Sequence, residues 1–170
     1  MKDFHEMTRL MEAVVARIAH KPVEVVTTES LLTITFDVKP QAVDVGRLVG
    51  NRGDMVLSLE RVFGRMSEQL GKRVVVNIHK TTERVRDYSN PPHNPQYESE
   101  SELILLEGMV EFMFNDAAIA RETTHMDDHV EFTVACDHND DGEVRIALNT
   151  IFTAIGAKAG ARIVVKVEEL

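Results

Sequence analysis

The chain is poor in the residue types on which many enzyme and membrane classes depend. It has one cysteine, Cys136, in 170 residues, which excludes an intramolecular disulfide and any multi-cysteine zinc site. The alternation of Cys136 with Val130, Phe132 and Val134 predicts a buried strand position, where apolar surroundings raise a thiol pKa and disfavour a nucleophilic role. No apolar run approaches the ~18 residues needed to cross a bilayer. The opening Met1-Lys2-Asp3-Phe4-His5-Glu6 is acidic and amphipathic rather than a signal sequence, so a cytoplasmic location is expected. Basic residues are also scarce, 19 Lys and Arg against 28 Asp and Glu, for a formal charge of −9. Taken over the whole chain, that excess argues against a nucleic-acid binder, which usually carries a basic surface.

The distribution of charge points the other way for the first half of the chain. Residues 1–86 hold 14 Lys and Arg against 11 Asp and Glu, net +3, whereas residues 87–170 hold 5 against 17, net −12. A polyanion is attracted to the first half and repelled by the second, which suits assembly, partner binding or solubility. With 44% apolar and 28% charged residues, the composition is that of a globular protein with one ordinary domain or two small ones.

Known catalytic and cofactor patterns are missing as well. Gly46, Gly50 and Gly53 have the wrong spacing for a dinucleotide fingerprint, and Gly53-Asp54-Met55 lacks the Lys-Ser/Thr of a phosphate-binding Walker loop. Asp137-His138-Asn139-Asp140-Asp141-Gly142 opens like a calcium loop, but its twelfth position is Leu148, where a bidentate Glu is needed. His125, Asp127, Asp128 and His129 would meet around a metal only on a helix face, and their context opens a strand. No Ser/His/Asp or activated-Cys arrangement is visible. Neither an enzyme nor a cofactor or metal site is expected.

What is present is a repeated order of elements. Met7, Leu10, Met11, Val14, Val15 and Ile18 form a helical stripe. A strand follows at 23–27, a short turn at Glu29-Ser30, and a strand in which Leu32, Ile34, Phe36 and Val38 alternate inward. A short helix through Ala42, Val45, Leu48 and Val49 stops at Gly50. After Gly50-Asn51-Arg52-Gly53, a second stripe of Met55, Leu59, Val62, Phe63, Met66 and Leu70 stops at Gly71, before a strand through Val74, Val75, Val76 and Ile78. Residues 80–100 break every periodicity, with Pro91, Pro92 and Pro95 marking a linker that holds two domains apart or lies across a groove.

The second half repeats this order. Leu103, Leu106, Val110 and Met113 mark a helix, 119–124 and 130–136 two strands, Val144, Leu148, Ile151, Phe152 and Ile155 a helix, and 163–167 a strand. Gly71-Lys72-Arg73-Val74-Val75-Val76 matches Gly160-Ala161-Arg162-Ile163-Val164-Val165 at an offset of 89, which also superposes Leu59 on Leu148 and Phe63 on Phe152. Internal duplication is the simplest account. At that offset Asn139-Asp140-Asp141-Gly142 replaces the glycine loop and the preceding short helix is missing, so two acids would repel a phosphate there.

Residues 45–55 carry the sharpest functional signal. Gly50 and Gly53 let the chain turn and let a ligand approach main-chain N–H groups, while Arg52 adds charge; a plain helix–turn–helix corner is the alternative. Val45-Gly46-Arg47-Leu48-Val49-Gly50-Asn51-Arg52-Gly53, with Gly71-Lys72-Arg73-Val74 downstream, makes residues 1–80 resemble a type II KH domain, most closely the small single-KH RNA-binding proteins of bacteria. The whole chain is similar in outline to tandem KH proteins with one degenerate copy, some of them encoded by large bacteriophages. The resemblance implies an α+β fold: a KH domain at 1–80, a proline-rich linker at 81–100 and a degenerate acidic KH-like domain at 101–170.

It further implies non-catalytic binding of single-stranded RNA, as a post-transcriptional regulator or RNA chaperone acting on mRNA. In such domains the loop clamps the backbone of four unpaired nucleotides beside an apolar groove. Gly50, Asn51, Arg52 and Gly53 would contact phosphates, and Arg47 and Lys72 would add charge. Val45, Leu48, Val49 and Met55 are groove or core residues. Asn51 stands where the family often has lysine, which leaves Arg52 as the loop's only charge. The competing expectation is an assembly adaptor, in which Leu105, Met109, Phe112 and Phe114 form a homodimer or partner interface in the acidic half.

Overall fold

The computed structural model describes residues 3–80, 91–92, 94, 97–114, 120–136 and 142–169. It is an α+β fold with two small three-stranded sheets and, among the described residues, five α-helices. The first repeat runs α1 (Phe4–Ile18), β1 (Glu24–Glu29), β2 (Thr33–Lys39), α2 (Val45–Val49), α3 (Asp54–Ser67) and β3 (Arg73–Ile78). The second runs α4 (Glu100–Met113), β4 (Ala120–His125), β5 (Val130–Cys136), α5 (Gly142–Ala159) and β6 (Ile163–Glu169). Each sheet has its middle strand antiparallel to the strand before it and parallel to the strand that follows the last helix, in the orders β1-β2-β3 and β4-β5-β6.

Local sequence accounts for these elements. Asp3 caps α1, its carboxylate accepting the Glu6 N–H at 2.9 Å, and the apolar spacing of the helix buries Met7, Met11, Val14, Val15 and Ile18. In β2 every second residue, Ile34, Phe36 and Val38, is fully buried. Leu32 is not part of that alternation. The Ser30 hydroxyl and N–H bond to Thr33, closing a turn that leaves Leu31 and Leu32 87% and 68% exposed at its tip.

The repeats share their internal geometry. Phe36 packs edge-on against Phe63 in the first and Phe132 against Phe152 in the second. The Glu60 carboxylate accepts the Val76 N–H, and at the same offset of 89 the Asn149 side chain accepts the Val165 N–H. The turns into β3 and β6 match as well, with Gly71 at φ 67 and Gly160 at φ 78 and backbone bonds Lys72→Ser67 and Ala161→Gly156. Helix α1 and strand β1 recur 96 residues later, as α4 and β4. The second repeat is therefore seven residues shorter between its middle strand and its last helix, the interval that holds α2 in the first. Its acidic turn, Asp137 to Asp141, lies outside the described residues, as do the burial of Cys136 and linker residues 81–90.

The repeats are packed together rather than held apart. α3 lies against α5, its counterpart, while α1 touches α5 and α4 touches α3, the reciprocal pattern of a pseudo-two-fold pair. One contiguous set of buried side chains runs through both repeats. This explains why α4 is apolar on nearly all sides. Leu105, Met109, Phe112 and Phe114 are at most 7% exposed, Gln69 donates to the Met113 carbonyl at 3.1 Å, and the Arg65 guanidinium lies 5.7 Å from the centre of the Phe114 ring. The expectation that these four residues form a free partner surface is corrected: the core between the repeats consumes them. Among the described residues, no helix is long and apolar enough to cross a membrane.

Candidate nucleic-acid interface

The loop between α2 and α3 has an unusual backbone. Gly50 closes α2 with its N–H on the Gly46 carbonyl at 2.9 Å and turns out at φ 81, ψ 177. Arg52 follows at φ 56, ψ 29 and Gly53 at φ 78, ψ 15, so three of four loop residues have positive φ. The two glycines do different work. A Cβ on Gly50 would stand 2.0 Å from Asp54 Oδ1 and 2.5 Å from the Met55 nitrogen, so that glycine is required by the corner itself. A Cβ on Gly53 would meet nothing within 4 Å; its bareness keeps open space at the loop rather than relieving a clash. Asn51 and Arg52 are exposed at the crest. Behind them α3 directs its N-terminal N–H groups and positive dipole end outward, partly offset by the Asp54 carboxylate in its first turn.

A groove of about 460 Å³ opens beside the loop. Val49 of α2 and Gly53 form its rim, Val56, Leu57 and Glu60 of α3 one wall, and Val76, Asn77 and Ile78 of β3 the other, with Lys80 at the end. Leu57 is its most accessible apolar side chain at 46%, Val49, Val56 and Ile78 are half-buried, and Val76 lies in the core behind it at 4%. Accessible apolar surface of this kind can take unstacked bases, and Lys80 and Arg52 supply positive charge at its margins.

Of the remaining sequence-derived residues, the structure places only Val49 at the groove. Arg47 turns back along its own short helix, its Nε 3.8 Å from Asp44 Oδ1 and its side chain 16% exposed. Asp44 is fully buried and also accepts the N–H groups of His20 and Lys21 at 2.9 and 2.8 Å, so this carboxylate ties α2 to the end of α1. Lys72 donates to Glu29 and to the Ser30 carbonyl at the opposite end of β3 from Lys80. Six strand residues separate the two, about 20 Å of rise, so Lys72 is not beside the loop. Met55 and Leu48 are core residues at 4% and 0% exposure. Val45 is half-buried, and of the apolar candidates Val49 lines the groove. Val56, Leu57, Val76, Ile78 and Lys80 were absent from the sequence-derived set. Leu57 carried a signal, as an apolar residue off the buried stripe of α3.

Charged groups on the outer sheet faces form small networks away from this groove. On the first sheet Asp37 accepts from Asn77 at 3.3 Å and lies 3.0 Å from His79 Nε2. Chiefly through the His79 hydrogen bond, its carboxyl titrates below the usual range. On the second, the Lys166 ammonium lies 2.9 Å from Glu131, holding that carboxyl low, and His129 does the same for Asp128 at 2.6 Å. His125 ends β4 and His129 precedes β5, so they do not share a helix face; among the described residues no cluster of three His, Cys, Asp or Glu side chains is arranged to hold a metal ion.

No protein-family model matches this sequence, and comparison with curated proteins finds no match. Among solved structures, one described as "Crystal structure of APE1850" is similar at 15% identity, over 96% of this chain and 99% of that one, with a TM-score of 0.28. That likeness is too distant to bear on fold or function.

Proposed function

We propose that this protein is a non-catalytic binder of single-stranded RNA, a tandem KH-like protein of type II topology with one working clamp in its first repeat. The observation that carries the reading is the adjacency of the positive-φ loop at 50–53 to the open groove between α3 and β3. A strand's phosphates lie along Gly50, Asn51, Arg52 and Gly53, and its bases face Val49, Val56, Leu57 and Ile78. Support also comes from the helix–strand–strand–helix–loop–helix–strand order and from the parallel pairing of β2 with β3. The net +3 of the first 86 residues attracts the ligand, and a role in regulating or chaperoning mRNA in the cytoplasm fits such a clamp. The adaptor reading loses its apolar surface on α4 to the internal core, so RNA binding is the better-supported function.

The test is a paired substitution of Asn51→Asp and Arg52→Asp, measured by fluorescence anisotropy on a short oligouridine. Both side chains are exposed, so the fold is retained and binding is lost. Because phosphate contacts release counterions, wild-type affinity falls with salt at a slope of about −0.7 per contact. Unchanged binding by the doubly substituted protein refutes the assignment.

A further inference from the structure

Two cavities run along α3 and β3 and meet at Glu60. The first is the groove beside the glycine loop. The second, of about 370 Å³, continues it toward the start of β3, where Arg61, Arg65, Lys72 and Arg73 line it together with Glu143 from the second repeat. From Gly53 to Glu68 the helix supplies about 22 Å of trough at 1.5 Å per residue.

Charge and continuity identify the occupant. Four cations face three carboxylates in the second cavity, and each carboxylate has a partner. Glu143 lies 3.9 Å from Arg61 Nε, Glu68 contacts Arg65, and Glu60 accepts the Val76 N–H. Glu143 is 71% exposed and Arg61 37%; so loose and solvated a pair contributes little and is readily exchanged for a phosphate. We infer that the RNA path extends beyond the clamp into this cleft, where Arg61 and Arg73 take further phosphates and Glu143 of the acidic repeat is the counter-charge they displace. The acidic repeat then has a direct role: it tempers affinity for long strands while leaving the clamp alone. The inference rests on the RNA-binding reading of the groove.

The experiment compares a tetranucleotide and a decanucleotide of oligouridine on the full chain across a salt series. A longer strand also offers more registers, so the gain with length is not itself the readout. The joint substitution Arg61→Gln and Arg73→Gln leaves tetranucleotide affinity unchanged, which also reports that the fold is intact. It weakens the decanucleotide about tenfold and makes its log–log salt slope shallower by about 1.4, two contacts at about 0.7 each. Glu143→Gln acts oppositely and tightens the decanucleotide alone. If both oligomers respond alike, or the decanucleotide is indifferent to Arg61, Arg73 and Glu143, the extension is wrong while the clamp stands. If Asn51→Asp with Arg52→Asp spares the tetranucleotide, or neither oligomer binds the native chain, clamp and extension both fall.

Discussion

Replacing Gly50 by alanine separates what the glycine loop needs for folding from what it needs for binding. At φ 81, ψ 177 the residue occupies a backbone region essentially restricted to glycine, where a side chain costs about 1–3 kcal/mol. The new Cβ would also stand 2.5 Å from the main-chain nitrogen of Met55, which is fixed in the first turn of α3 and cannot rotate away. Forcing that contact apart adds about 1–2 kcal/mol, for a total of about 2–5 kcal/mol. With a urea m-value of about 2 kcal/mol per M, the midpoint falls by roughly 1–2.5 M at unchanged m. Gly53→Ala is the control. Its φ is as positive, 78, but a Cβ there meets nothing within 4 Å, so only the left-handed penalty of about 1 kcal/mol applies. Asp54→Ala in the Gly50→Ala background relieves the 2.0 Å carboxylate clash but not the one with Met55, and recovers only part of the loss. Urea denaturation followed by circular dichroism measures all three. Equal losses at Gly50 and Gly53, or a larger one at Gly53, would refute the loop geometry. Gly53→Ala remains folded yet binds oligouridine more weakly, because its Cβ enters space at the rim of the groove.

Three further outcomes follow from the packing. Asp44→Asn leaves one of the His20 and Lys21 N–H groups facing an amide donor instead of a carboxylate, costing about 2 kcal/mol by denaturant titration; a neutral result would mean that Asp44 does not anchor α2. Asp37 has a carboxyl depressed by His79 and Asn77, so its contribution is complete above the unfolded value of 3.8 and is lost as pH falls through the lower folded value. Thermal melts from pH 6 down to pH 2 should show a shallower acid limb in Asp37→Asn than in the native chain; superimposable limbs would remove Asp37 from the account. Phe152→Ala, in the acidic repeat, costs about 3–5 kcal/mol and lowers hydrogen-exchange protection in α3 as well as α5, since one core spans both. Loss confined to residues 142–169 would show that the repeats unfold separately.

Much of the fold is legible because burial follows local periodicity. Met55, Leu59, Val62, Phe63 and Met66 lie on one face of α3 and all are buried there. A stripe shows that a face is covered, but not by what. α4 is the instructive case: apolar side chains around most of its circumference require more than one neighbour, and only the structure shows that those neighbours, α1 and α3, come from the same chain. The likeness of the two halves shows residue by residue where side chains repeat, as in Phe63 and Phe152, and only as a matching helical stripe where burial alone does, as in Met7 and Leu103 at the start of α1 and α4. The site divides in the same way. Loop residues 50–53 could be read directly, since glycine spacing encodes backbone conformation. Lys72 could not be placed, because proximity to a motif in sequence does not specify which end of a strand a charge occupies. Arg47 had its signal in Asp44, three residues earlier on a short helix, where opposite charges meet.

The seven residues missing from the second repeat matter more than its acids. In the first repeat α2 is held by the buried Asp44 and carries Val49 to the rim, so a short helix supplies one edge of the groove. In the second, α5 keeps an exposed apolar residue, Ile146, at the offset position of Leu57, and Asn149 keeps the strand contact of Glu60. Ile146 is 65% exposed against 46% for Leu57. The helices of the degenerate repeat are instead committed to covering α1 and α3. The second repeat thus extends the core of the first, and the acid it brings to that seam, Glu143, meets Arg61 of α3.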